Sequence, residues 1–197
     1  MKQRAENYYF QIEKLFKSVE VKDSQSKSIN FYAGVADAAK IIQKQSSFRK
    51  KLIFIGNGAS AAISSHMAAD FCKNAHIRAI TFNDASLLTC VSNDLGYKYV
   101  FEKPIELFGA AGDILIAISS SGKSENILKA ARMALRKKMK VITLSGFSMN
   151  NPLSKLGELN FYVPQANYGL VEVTHHSICN CFLELILQSR GRMRAKL

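Results

Sequence analysis

Four hydroxyls crowd into six residues of this chain, at Ser119-Ser120-Ser121-Gly122-Lys123-Ser124. Hydroxyls beside free backbone N–H groups at the start of a helix make an anion site, and the helix dipole favours a phosphate there. Gly122 lets the backbone turn close to a ligand, and Lys123 adds a charge that solvent would hold equally well. A helix N-cap explains one of these serines, Ser121 or Ser124. It does not explain four, so phosphate binding is the stronger reading. A second loop, Gly56-Asn57-Gly58-Ala59-Ser60, has the glycine-rich form of a strand-to-helix turn. Such turns are common, and this one gains weight from its companion.

The elements that must position these loops follow from the spacing of apolar residues. Lys51-Leu52-Ile53-Phe54-Ile55 is a strand-length run that ends at Gly56 and passes into an Ala/Ser-rich helical stretch, Ala59 to Lys73. The same unit recurs at Asp113 to Ile118, followed by the serine loop and a helix with Ile127, Leu128, Ala131, Ala134 and Leu135 on one face. Lys140 to Leu144 and Leu159 to Val163 read as further strands, and a last helix runs from about Gly169 to Gln188. Short apolar strands alternating with helices imply an α/β three-layer sandwich, a parallel sheet covered on both faces. Ligands of such sheets bind at the carboxyl ends of the strands, where both loops fall. Before the sheet, residues 1–48 carry apolar positions at helical spacing, broken around Val21-Lys22-Asp23-Ser24, and read as two helices. Residues 49–189 form the α/β core of a single domain, and a basic tail, residues 190–197, is expected to fray.

The combination of Gly56-Asn57-Gly58-Ala59-Ser60, then His66, then Ser92-Asn93-Asp94, then Ser119 to Ser124 resembles the phosphoheptose isomerase branch of the SIS (sugar isomerase) family. The resemblance covers most of the chain, to about Leu187, and implies a flavodoxin-like SIS fold. It implies that Asn57, Gly58, Ser60, Asn93, Asp94, Ser119, Ser120, Ser121, Ser124 and Glu172 contact sedoheptulose 7-phosphate. It also implies a homotetramer, with the N-terminal helices bundled at its centre and the sites between subunits. Where the family offers His and then Glu on the helix after the glycine turn, this chain has His66 and Asp70; where it has Gln and then a catalytic His on the last helix, this chain has Glu172 and Asn180.

Asn180 cannot exchange protons near neutral pH, so the role of the family histidine passes to another group. Glu172, His176 and Asn180 recur every four residues and share one helical face. His176 therefore stands one turn from the missing imidazole. The chemistry expected is aldose–ketose isomerisation through an enediol, with Asp70 or Glu172 moving the proton between carbons and His176 or His66 serving the oxygens. The same four side chains, His66, Asp70, Glu172 and His176, are a candidate Zn²⁺ set, since N and O ligands on facing helices can close around that ion. The plainer reading of His66 and Asp70 is a helix-surface pair. Adjacent helical residues point about 100° apart, so His175 and His176 cannot both face the site, and a histidine without function, packed or exposed, is the reading favoured for His175.

At 197 residues, 48% hydrophobic and 21% charged, the chain has the make-up of one globular domain. Its net charge of +12 suits an anionic ligand. The bases are scattered without interleaved aromatics, so no nucleic acid is expected as a partner. Cys72, Cys90, Cys179 and Cys181 lack metal or redox spacing and read as buried free thiols. No run approaches bilayer length and no apolar segment follows the N-terminus, so a cytoplasmic protein without a membrane helix is expected. One rival remains: the DnaA initiator-associating protein of the same SIS branch also has Asn at the last-helix position. A non-catalytic adaptor for DnaA, or a sugar-phosphate sensor, is thus the alternative to an enzyme. Asp70 keeps an acid which that adaptor lacks.

Overall fold

In the computed structural model, which describes residues 1–191, seven strands form one sheet in the order β2-β1-β7-β6-β5-β3-β4. The strands are β1 (Glu20–Asp23), β2 (Ser28–Ile29), β3 (Leu52–Ile55), β4 (Ala79–Thr81), β5 (Ile114–Ser119), β6 (Lys140–Ser145) and β7 (Leu159–Tyr162). From β4 to β7 across the sheet, every pairing is parallel. The helices are α1 (Lys2–Ser18), α2 (Phe31–Ser47), α3 (Ala59–Ala75), α4 (Ala85–Leu95), α5 (Glu102–Phe108), α6 (Glu125–Arg136) and α7 (Tyr168–Ser189).

The central strands are buried on both faces, so their side chains divide by parity. Leu52, Phe54, Ile114, Ile116 and Ile118 enter a core shared with residues of α2, α3 and α7. Ile53, Ile55, Leu115 and Ala117 enter the opposite core, with Ile105 of α5 and Ile127, Ala130, Ala131 and Ala134 of α6. α3 and α6 thus lie on opposite faces. β3 leads to β4 on one side and β5 to β6 on the other, so the strand order reverses between β3 and β5. The crevice at that reversal is the usual ligand position of an open α/β sheet, and both loops singled out above end there.

The region before β3 holds more than two helices. Its break is a hairpin, in which β1 pairs antiparallel with β2 and with β7. Val21 of this hairpin is buried and leaves no room beside Gly34 of α2, where an added Cβ would lie 2.7 Å from it. The sheet is therefore mixed, parallel through its body with an antiparallel edge. β4, α4 and α5 complete it between α3 and β5.

One further expectation changes. Cys179 is buried as a free thiol, but Cys72, Cys90 and Cys181 are exposed. At the end of α7 the Arg190 guanidinium donates to the Ala75 carbonyl at 2.6 Å; residues 192–197 of the basic tail lie outside the described residues. α7 itself is long and apolar enough to cross a membrane by length and composition. Its burial against α2 and α3, through Ile178, Cys179, Phe182 and Leu183, is that of a core helix.

Candidate active site

A cavity of about 240 Å³ opens where the two loops meet. Asn57, Gly58 and Ser60 come to it from the β3–α3 turn, and Ser119, Ser120, Ser121 and Ser124 from the β5–α6 loop. Tyr168 and Glu172 close it from the first two turns of α7. Gly56 is required at the turn because a Cβ there would sit 2.5 Å from the Ser60 carbonyl. Gly122 is required twice over: its φ is +62°, and a Cβ would strike the buried Asn151 carboxamide at 2.0 Å.

The serines are not spent as helix caps. Ser124 holds the N-cap position of α6 without a side-chain capping bond; its hydroxyl accepts instead from Ser119 Oγ at 3.3 Å. Ser121 Oγ accepts from the Lys123 amide at 3.2 Å, a local turn contact. Ser120 Oγ is buried and has no hydrogen-bond partner. The α3 N-terminus, at Gly58, also lacks a side-chain cap. α2, α4 and α7 differ, being capped by Asn30, Asp84 and Asn167. Of the three helices that begin at the cavity, α3 and α6 thus have no N-cap side chain bonded to their first amides, whereas α7 does.

Glu172 also lines a second cleft of about 440 Å³, which brings together His66, His176, Tyr8 and the apolar Ala62, Ile63 and Val173. The rings of His66 and His176 meet edge to face, their centroids 5.2 Å apart. His66 Nε2 lies 3.4 Å from Asp70 Oδ2, while Asp70 Oδ1 accepts from Asn74 Nδ2 at 3.2 Å. His176 Nε2 is buried without a partner. Burial holds the His176 imidazole below its usual pKa, assisted by the neighbouring His66 and opposed by Asp70. Burial alone pushes the Glu172 carboxyl above the ordinary carboxylate range. Asn180, one turn on, donates to the His176 carbonyl at 3.3 Å. His175 turns the other way, wholly buried under β6, with Nε2 3.2 Å from the Ser145 carbonyl oxygen.

Asn93 and Asp94 do not line this cavity; they lie in the last turn of α4, where Asn93 Nδ2 donates to Asp94 Oδ1 at 2.9 Å. Only Val91 of that helix is buried, so its polar end faces solvent. Nor do His66, Asp70, Glu172 and His176 form a metal cage: among the described residues, no group of three or more His, Cys, Asp or Glu side chains is placed to hold an ion. The His66 nitrogen nearest Asp70 is directed at that carboxylate, and the two imidazoles meet edge to face rather than converging on a centre.

Tyr168 was not singled out by its sequence context, yet it forms a wall of the cavity and packs edge-on against Phe147, centroids 4.7 Å apart. Asn126 and Tyr97 are further additions, both bonded to Asn57. A polar residue two places past a serine loop gave no signal, because its partner is 69 positions away in sequence.

A fold wound this way, with two glycine- and serine-bearing turns at its reversal point, is that of the SIS domain, whose family model matches residues 7–146; the chain belongs to the SIS family. Within it the chain stands with the phosphoheptose isomerases. It is 36% identical over 160 residues to the phosphoheptose isomerase of Hamiltonella defensa, covering 78% of this chain and 77% of that one. It is likewise 36% identical to that of Cytophaga hutchinsonii, over 79% of this chain and 84% of the relative. Among solved structures, a phosphoheptose isomerase from Francisella tularensis superposes with a TM-score of 0.79 at 27% identity, covering 95% of this chain and 99% of that one.

Proposed function

We propose that this protein is an aldose–ketose isomerase that converts sedoheptulose 7-phosphate to D-glycero-D-manno-heptose 7-phosphate through an enediol. The observation that carries the reading is the Ser120 hydroxyl, buried without a partner in a cavity where two uncapped helices begin. A buried polar group is ordinarily bonded, and a phosphate oxygen is the acceptor this setting suits. The 36% identical phosphoheptose isomerases supply the sugar.

With the phosphate seated at the serine loop, the carbon chain runs past Glu172 into the second cleft, since Glu172 lines both. Isomerisation removes a proton from C1 of the ketose, passes through the enediol, and returns a proton to C2, while a proton moves between the two oxygens. Glu172, ionised, is the base for the carbon-bound proton; its raised pKa makes it a stronger one. His176, kept neutral by burial, offers its unpartnered Nε2 to the oxygens. Asp70 fixes His66 beside it. No step is assigned to Zn²⁺, because the four candidate ligands do not converge within one chain.

The same reading includes a homotetramer built through α1, a cytoplasmic location, and a product destined for the heptose of lipopolysaccharide or another surface glycan. Exposed Tyr8, Tyr9 and Phe10 on α1 support the first of these.

Incubation with sedoheptulose 7-phosphate and detection of the heptose aldehyde tests the proposal. Turnover is expected in the wild type, with a fall of about 10²–10⁴-fold in kcat for His176→Ala and a smaller fall for Asp70→Ala. Full activity in both variants removes the acid–base assignment. No turnover in the wild type removes the isomerase, and co-purification with DnaA would then establish the adaptor.

A further inference from the structure

The side chains of Asn57 and Asn126 form a closed pair. Asn57 Nδ2 donates to Asn126 Oδ1 at 3.0 Å, and Asn126 Nδ2 donates back to Asn57 Oδ1 at 2.9 Å. Asn57 belongs to the turn after β3, and Asn126 to the first turn of α6, two residues beyond Ser124. The pair therefore spans the crevice between the two loops that build the cavity. Asn126 is only 3% exposed, and its Oδ1 also accepts from the Ile127 amide at 2.9 Å, which fixes the carboxamide's orientation. On the other side, Asn57 Oδ1 accepts a second bond from the Tyr97 hydroxyl at 3.0 Å.

These bonds alter the role of Asn57. Its carbonyl oxygen is already held by two donors and is not left for a sugar hydroxyl. A part-buried, reciprocally bonded amide pair between loops distant in sequence restricts how far they can separate. A dianion gripped by both loops depends on that separation, since hydrogen bonds weaken steeply outside about 2.7–3.2 Å.

We propose that Asn126 is a positioning residue for the phosphosugar: through its reciprocal bonds to Asn57 it sets the spacing of the two loops that share the phosphate, with the Tyr97 hydroxyl as an outer brace. The inference rests on the phosphosugar reading above. It assigns Asn126 no contact with the reacting carbons, so the effect belongs to binding.

Kinetics and calorimetric binding of sedoheptulose 7-phosphate test it in Asn126→Asp, Asn57→Ala, Asn126→Ala, the double alanine variant and Tyr97→Phe. Asn126→Asp keeps the volume and the acceptor for Ile127 while losing the donor to Asn57. It is expected to raise KM and Kd about tenfold while kcat stays within about threefold, the pattern of lost uniform binding. The double alanine variant is expected to be no weaker than the weaker single variant, because both remove one interaction. Tyr97→Phe is expected to change Kd by less than about threefold, the residue being exposed and its bond to Asn57 open to replacement by water. A lowered melting temperature with unchanged Kd and KM overturns the proposal in favour of a purely structural bond. So does strict additivity, or a fall in kcat at constant KM. A wild type that neither binds nor converts the sugar phosphate overturns the proposed function and this inference together; one that binds without converting still decides the inference through Kd.

Discussion

Ser120 and the pair Glu172 and His176 divide the labour of the site. Ser120 is 6% exposed and unpartnered, so its hydroxyl gains most when a phosphate arrives. Ser120→Ala should raise KM for sedoheptulose 7-phosphate about 10- to 100-fold, the range for a hydrogen bond to a charged group, with kcat nearly unchanged in steady-state assays. At the other end, Glu172 is pushed up from 4.5 and His176 down from 6.5, so burial draws the two titrations together. The active state has Glu172 ionised and His176 neutral, and acidification protonates both. The profile of kcat/KM should therefore fall on the acid side, and Glu172→Gln should abolish activity across the range. The serine loop was legible because its hydroxyls are neighbours in sequence. What Ser120 lacks was not, since an unmade bond depends on every surrounding element.

α7 serves two masters through successive residues. His176 faces the cleft, while His175 is buried beneath β6 with its imidazole held down to about 4 by desolvation, against a partly compensating contact with the Ser145 carbonyl. Its folded pKa is below the unfolded value of 6.5, so the unfolded chain binds the extra proton. Stability from this residue is complete above pH 6.5 and is lost as pH falls towards 4. The loss amounts to on the order of 3 kcal/mol at pH 4. Urea unfolding at pH 7 and pH 4.5 should show this slope, flattened in His175→Gln relative to the wild type. The adjacency of the two histidines showed only that one of them must turn away; the packing under β6 decides which. β1 escaped notice for a related reason. Val19 and Val21 are buried and alternate with Glu20, but that period of two lasts too briefly to stand out between two long helical patterns. β4 is three residues long and leaves Ile80 exposed, so it lacks the apolar run that revealed β3 and β5.

Across the molecule, the sheet's two cores take in most of the buried apolar residues of the strands and of helices α2 to α7, whereas α1 contributes only Leu15 to the buried set. Tyr9 and Phe10, 71% and 54% exposed, stand on its outer side. Exposed aromatics that follow one another on a single helix mark a face that another surface covers. Light scattering should find a tetramer for the full chain, and Tyr9→Glu with Phe10→Glu should reduce it to smaller species; a monomeric wild type at micromolar concentration would remove the assembly from the proposed function. The parallel body of the sheet and its crevice were readable from alternating strands and helices. The assembly surface was not, because helical spacing marks apolar residues without saying whether the chain itself covers them.

Anyone trimming the N-terminus to isolate a smaller unit meets a limit between Ser18 and Glu20. Beyond it the cut removes the short antiparallel pair that shields Leu159 to Tyr162. That stretch would then present a row of bare amides and carbonyls beside Phe161, a template on which other copies could stack. The shortened product should come out of solution as aggregate rather than as a lighter enzyme.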